Sequence, residues 1–541
     1  MSATDEFHRL AAQIVEDGLH RDPVGATWMG DHRFDGQLPD QSASAQADDV
    51  LRIDDHLTAL DAIDDVELEL DDFVDLEILR ARLLQARFDL DELRACEWNP
   101  LAWNPGTALH LLVSRGFAAA DERAQSLQGR LEAIPDFLAD GRHRLGDMPK
   151  VHVETAMAQL AGAVALINGP VRELARADAA CDEAIEAVRE FSAWLAEQSA
   201  TRDPRLGERL YSAVLWHGLD DDISAGEVLA DAESHLARVH ERMKEAAARY
   251  LGIASASMDD VRSALDAIAQ RHPVTDATVL PLVEEALATA TEFVRTHDLV
   301  SIPEMEIAVI EMPEIHRGVA VAYCDAPGPL ETAKVPTFVA VSPTPADWPA
   351  DRVASFYREY NGALLPGLTI HEAMPGHVLQ LAHGRAGSNV SLTRKVGMSG
   401  VFIEGWAVYA EELMLDRGFA PEPDDPHGLA LRLQQLKMQA RMAINAILDV
   451  RVHTHAIDEA EAMALMTEQG FQEEGEAVGK WRRALLTHAQ LPTYFVGYRA
   501  VSSIAHDLRV LHPQWSDAQV HDLMLGHGSP APRHLRTLLG L

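Results

Sequence analysis

From Thr369 to Gln380 the chain reads T-I-H-E-A-M-P-G-H-V-L-Q. His371 and Glu372 are adjacent, a second imidazole follows at His377, and Glu404 comes twenty-seven residues later in F-I-E-G-W-A-V-Y-A-E-E. Two neutral imidazoles and a carboxylate suit Zn²⁺, and three protein ligands leave a fourth position open for water. A glutamate outside the ligand set, here Glu372, can take that water's proton. The spacing sets a problem. Histidines four apart leave the same face of a helix, as in H-E-x-x-H. Six residues turn a helix by about 600°, so the two rings of an unbroken helix would point roughly 120° apart. Pro375 has no N–H for the carbonyl of His371 and its ring crowds that turn. Gly376 can take backbone angles closed to other residues. The helix is therefore expected to break or bulge at Pro375-Gly376 and to swing His377 back toward the metal.

Glu404 sits among Val401, Phe402, Ile403, Trp406 and Tyr409. A carboxylate in apolar surroundings is costly unless it is paired or bound to a metal. One rival stays open: Glu404 faces water and Glu411 or Glu412 is the third ligand. Glu411 lies seven residues beyond Glu404 and shares its helical face.

These motifs resemble a bacterial family known as domain of unknown function 885, whose members are similar to zinc peptidases of the glutamate-zincin type. The resemblance runs nearly the full length. R-D-P-V-G-A-T-W-M-G at 21–30, E-W-N-P-L-A-W-N-P at 97–105 and G-R-L-E-A-I-P-D-F-L at 129–138 are similar to its N-terminal landmarks. D-V-R-V-H at 449–453 is similar to its D-x-x-x-H, and Gln490, Tyr494 and Gly497 keep the spacing of a later block. His488 and Ala489 depart from that block, where the family has Pro-Gly, and this puts the loop leading to Tyr494 in question. The resemblance implies His371, His377 and Glu404 as ligands of one Zn²⁺ per chain and Glu372 as general base. It supplies no substrate.

Composition narrows the partners. The chain has 541 residues, 85 acidic against 46 basic, for a net charge of -39, and six of the basic residues are lysine. So acidic a surface repels nucleic acid and anionic membrane. No apolar run approaches the roughly 18 residues of a membrane span. The first residues lack a basic region followed by an apolar core, so no signal peptide is expected. Cys96, Cys181 and Cys324 are odd in number and far apart, which fits free thiols in a cytoplasmic protein.

Residues up to about 300 read as helix. Ser224 and Glu227 form a capping-box pattern, and Leu229, Leu236, Val239, Met243 and Tyr250 then make an amphipathic stripe. Further helices are expected at 70–95, 120–145, 152–167 and 179–198. After residue 300 come short β-prone runs at 306–310, 319–323 and 337–341, punctuated by proline and glycine. They predict a small antiparallel sheet, one edge of which could hold an extended peptide. From about 350 helix returns.

Other residues in the last hundred could carry chemistry. Asp449 could orient His453, four residues on, leaving a ring nitrogen for substrate. Tyr494 could donate its hydroxyl to an oxyanion, while Arg483 or Arg499 could receive a substrate carboxylate. His383 and His316 read as bystanders. The expectation is a mainly α, large helical zinc-peptidase-like fold with a small antiparallel sheet beside the active site. In it, residues 1–300 wall the cleft and residues 301–541 form the metallohydrolase region, the two as one integrated unit. The expected substrate is a short peptide or small amide. A non-peptide amide or ester is the first alternative, and a catalytically silent metal-binding scaffold the second. Oligomeric state is not read from the sequence.

Overall fold

A computed structural model describes residues 2–313, 321–387, 390–420, 425–455 and 457–541. Helix dominates, and chain contacts divide it into two compact units. The first contains residues up to Pro204 with Pro327–Val335 and Ser391–Gly397. The second contains Arg205–Ala326, Pro336–Val390 and Met398–Leu541. The helices between 205 and 300 thus fold with the segments that carry the metal motifs. Among the described residues no helix is long and apolar enough to cross a membrane.

The first unit is built from helices close to those expected, among them Leu70–Phe88, Ala120–Arg144, Lys150–Leu166 and Asp178–Glu197. Its apolar stripes bury into two cores, one around Phe7, Leu60 and Leu76, the other around Trp103, Leu131 and Phe191. Arg130 ties its landmark segments together. Its fully buried guanidinium donates to Thr27 Oγ1 (2.6 Å) and to the carbonyl of Gln37 (3.1 Å). Burying so strongly charged a group is tolerable only because these acceptors replace water.

In the second unit, Ser224 caps the helix α1 (Ala225–Leu251) as its sequence predicts, with the reciprocal Glu227 bond in place. The buried face of α1 centres on Val228, Ala232, Leu236, Val239 and Met243, with Leu229 and Tyr250 at its margins. Three strands follow: β1 (Ile307–Glu311), β2 (Ala322–Asp325) and β3 (Thr337–Val341). The run expected at 319–323 lies partly outside the described residues, as does His316.

The sheet corrects one expectation. It is mixed, not antiparallel: the order is β1-β3-β2, with β3 parallel to β1 and antiparallel to β2. The physical reason is the long chain between β1 and β3. Parallel neighbours need a crossover of a dozen or more residues, and residues 312–336 supply it. β2 turns back within that excursion and becomes an edge strand.

Five helices build the remainder of the site: α2 (Leu365–Glu372), α3 (His377–Ala386), α4 (Gly400–Asp416), α6 (Glu474–Leu486) and α7 (Pro492–Leu511). Between α4 and α6 runs the almost wholly buried α5 (Pro426–Val450), against which α1 packs. One apolar core joins Ile370, Val378, Phe402 and Trp406 to the sheet through Val339 and Val341.

Candidate metal and catalytic site

The break in the metal motif is where proline and glycine put it. α2 ends at Glu372 and α3 begins at His377. Between them the Gly376 amide turns back to the carbonyl of Ile370 at 2.9 Å. A Cβ on Gly376 would lie 1.9 Å from the carbonyl oxygen of His371, so only glycine lets the chain fold onto its own last turn. The Pro375 carbonyl accepts from the Trp406 indole at 2.8 Å. The break is thereby pinned to α4, the helix that carries Glu404.

His371 and His377 consequently face one carboxylate oxygen. Their Nε2 atoms stand 3.5 and 3.6 Å from Glu404 Oε2. One ligating atom from each of the three residues falls within 4.8 Å of the others. That Glu404 oxygen is buried and has no hydrogen-bond partner. Ligands held at about 2.0–2.1 Å by a tetrahedral ion sit about 3.3–3.4 Å apart. The two separations are close to that edge and long for an N–H···O bond. The donor set and its spacing fit zinc, and no fourth Asp, Glu, His or Cys joins the group among the described residues.

Glu411 takes the place behind the ligands. Its Oε1 is 2.8 Å from Nδ1 of His371, so the carboxylate fixes that ring with Nε2 toward Glu404. Carboxylate–imidazole pairs of this kind orient metal ligands and raise their basicity. Glu404 is therefore the residue facing both rings, and Glu411 the one that aims His371. Glu412 is engaged elsewhere, with Tyr498 and Arg242. His377 Nδ1 is buried without a partner, so nothing fixes its tautomer as Glu411 fixes that of His371.

Burial and mutual charge oppose each other at these three side chains. Burial alone would lower the His371 pKa, yet Glu404 and Glu411 raise it well above the ordinary imidazole value. Burial would raise the Glu404 carboxyl, but the two imidazoles beside it hold it far below the usual carboxylate range. A site that draws protons onto a buried imidazole is one where a bound cation meets the same need. Glu372 differs from both. Burial pushes its carboxyl up, His371 and His377 pull against that, and the net shift is upward. Its Oε2 accepts from the Cys324 N–H of edge strand β2 at 3.0 Å.

The helices that carry Glu404 and Tyr494 cross at two glycines. A Cβ on Gly405 would lie 2.2 Å from the carbonyl carbon of Gly497, and one on Gly497 would lie 2.0 Å from the carbonyl oxygen of Val401. α4 and α7 thus touch backbone to backbone, next to Glu404 and one turn after Tyr494. Burial raises the Tyr494 pKa and the charge of Glu404 adds to it, while Arg483 and His371 act the other way. The hydroxyl stays a proton donor within the field of Glu404 and His371. Arg483 Nη2 lies 3.5 Å from it and donates to Gln490 Oε1 at 2.6 Å.

The departure at His488-Ala489 puts an alanine in a strained backbone conformation. Ala489 takes φ 55, the left-handed conformation a glycine would adopt, and its N–H donates to Asp449 Oδ2 at 2.9 Å. The expected partnership of Asp449 with His453 is replaced by other bonds. Asp449 accepts from Tyr211 Oη at 2.9 Å, and His453 has Leu206 N at 3.3 Å on Nδ1 and the Thr487 carbonyl at 3.0 Å on Nε2. With both ring nitrogens on backbone and 2% exposure, His453 is placed as a structural residue rather than at the metal group. Arg499 pairs with Asp231, and His383 bonds the Ser301 carbonyl. Sequence reasoning missed the Cys324 N–H and the Arg483–Gln490 bond, for which no local pattern exists. The sign of Glu411 was visible in its spacing from Glu404.

The chain belongs to the family described as bacterial protein of unknown function (DUF885), whose model matches residues 23–539. No curated protein matches it. Among solved structures it is similar to a candidate lipoprotein of unknown function from Shewanella oneidensis, at 25% identity over 99% of this chain and 100% of that one, with a TM-score of 0.82. A candidate lipoprotein from Colwellia psychrerythraea matches at 17% identity over 100% of this chain and 99% of that one, with a TM-score of 0.81, which bears on the fold alone. An M32 carboxypeptidase from Deinococcus radiodurans R1 matches at 11% identity over 91% of this chain and 96% of that one, with a TM-score of 0.37, too low to carry an argument.

Proposed function

We propose that this member of the DUF885 family is a zinc-dependent peptidase acting on short, extended peptides. The observation that carries the reading is the convergence of His371, His377 and Glu404 on one point, with Glu372 beside them as a carboxylate outside the ligand set. A structural zinc usually has four protein ligands and needs no neighbouring base. His371, His377 and Glu404 would hold the ion, which when bound supplies Lewis acidity to a scissile carbonyl and to a water.

The chain's own residues supply the rest. Glu372 takes a proton from the attacking water and delivers it to the leaving amine, and its raised pKa suits both transfers. The Cys324 N–H holds one carboxylate oxygen in place for that work. Tyr494 donates to the oxygen that becomes negative as the carbonyl turns tetrahedral. The same bond from Cys324 brings the edge of β2 alongside Glu372, and an edge strand is a template for an extended peptide. That last feature favours a peptide over a non-peptide amide.

The test combines metal content with digestion of a peptide library. Purified protein should carry about one zinc per chain, and His377→Ala should lose it. Glu372→Gln should keep zinc while activity falls by about 10² or more. Full zinc occupancy in His377→Ala would refute the ligand assignment. Full activity in Glu372→Gln would refute the base. Zinc-loaded protein that cleaves no peptide but hydrolyses small amides or esters would move the function to that class.

A further inference from the structure

We infer that Arg483 receives the free α-carboxylate of the substrate, so that the enzyme removes single residues from the carboxyl terminus. This rests on the peptidase reading above and adds the end from which the substrate is read.

The argument starts from charge. In a chain of net charge -39, arginines find carboxylates readily: Arg242 pairs with Glu412, Arg441 with Glu359 and Glu476, and Arg499 with Asp231. Arg483 does not. Its described side-chain bonds go to two neutral groups, Gln490 Oε1 at 2.6 Å and Tyr494 Oη at 3.5 Å, and the residue is exposed. Both bonds leave from Nη2, so the N–H of Nε and the two of Nη1 are not used in them. Those donors can make charge-assisted bonds to a carboxylate.

Position supplies the second part. Glu372, Glu404 and Glu411 carry more negative charge than one divalent ion offsets, so an anionic chain end gains from a further cation nearby. Arg483 stands beside the Tyr494 hydroxyl, the oxyanion donor of the reading above. In a peptide the carboxyl carbon of the leaving residue is about 3–4 Å from the scissile carbonyl carbon, three bonds of about 1.3–1.5 Å away. A donor for the oxyanion and a donor for that carboxylate must therefore be neighbours. Tyr494 and Arg483, 3.5 Å apart, meet this condition. An anchor for release of two residues would belong about one residue further off, roughly 3.3–3.6 Å. Gln490 positions the guanidinium, which explains why Gln490 and Tyr494 belong to one short block of sequence.

The experiment uses zinc-loaded full-length protein and pairs of N-acetylated peptides ending in a free acid or an amide. The expected result is release of one residue from the acid, with kcat/KM for the amide lower by about 10–100-fold, the worth of a charge-assisted bond. Arg483→Met should lower kcat/KM for the acid by a similar factor, chiefly through KM, and abolish the preference. Arg483→Lys should restore part of it. A second readout needs no metal and no turnover. By calorimetry on metal-free protein, N-acetyl-Ala-Phe acid should bind about tenfold more tightly than its amide, and Arg483→Met should erase the difference. Because Arg483 is exposed, the variants should keep the wild-type denaturation midpoint; if Met does not, Gln490→Ala is measured in its place. Equal cleavage of acid and amide, release of dipeptides, or equal binding of the two probes would overturn the inference while leaving a peptidase. Cleavage of neither peptide with zinc bound would instead fail the peptidase reading, and the calorimetric comparison would still decide the role of Arg483.

Discussion

Replacing Glu411 separates aiming a ligand from being one. Its carboxylate is 3% exposed and lies 2.8 Å from His371 Nδ1. Glu411→Gln keeps an acceptor of the same shape and removes only the charge. A charge-assisted hydrogen bond contributes about 1.5–3 kcal/mol and a neutral one about 0.5–1.5, so the difference is roughly 1–1.5 kcal/mol, or about tenfold in zinc affinity. Glu411→Ala also releases the ring from its orientation, and such partners are worth up to about 100-fold. The assay is competition for zinc against a chromophoric chelator at fixed pH, with circular dichroism to verify the fold. Glu404→Gln serves as comparator and should bind zinc far more weakly than Glu411→Gln. Wild-type affinity in both Glu411 variants would refute the orienting role. A loss in Glu411→Gln equal to that in Glu404→Gln would mean that Glu411 is itself a ligand.

Three further outcomes are expected. Tyr494→Phe should lower kcat by about 10²-fold or more with little change in KM, and an unchanged kcat would return Tyr494 to a packing role. Ala489→Gly should stabilise the protein by roughly 0.5–1 kcal/mol, read as a shift in denaturant midpoint at constant slope, because an alanine at φ 55 bears a left-handed penalty that glycine lacks; destabilisation would show that the Cβ contributes more by packing. Asp449, buried and bonded by Tyr211 and Ala489, has a carboxyl pushed up by burial to about 7. A folded pKa above the unfolded one means that its contribution is full below about pH 4 and is lost as pH rises toward 7, with a slope near 1.4 kcal/mol per unit. Stability measured between pH 4 and 7 should therefore fall more steeply with pH in wild type than in Asp449→Asn, and identical slopes would contradict the assignment.

Much of the site was legible because its determinants are local. Proline and glycine at 375 and 376 end one helix and start another, and that alone allows histidines six apart to converge. The capping box at Ser224 and the stripe behind it are likewise set within a few residues, so α1 forms where it was expected. The sheet was legible only as strands. Pairing direction depends on where the chain goes between β1 and β3, and no short pattern encodes a crossover, so an antiparallel sheet was expected and a mixed one is found.

By itself, then, the sequence determined the helical class, the break between His371 and His377 and the glutamate beside the first imidazole, since each follows from backbone rules and spacing over a few turns. Tertiary structure decided what depends on groups far apart in the chain. It chose Glu404 to face both imidazoles and Glu411 to stand behind His371, two roles that one helical face left open. It separated Asp449 from His453, whose spacing made a pair plausible, by giving each a better partner from elsewhere: Tyr211 for one, Leu206 and Thr487 for the other. It brought α7, which carries Tyr494, onto α4, which carries Glu404, through the contact of Gly405 with Gly497, because two backbones approach so closely only where neither has a Cβ.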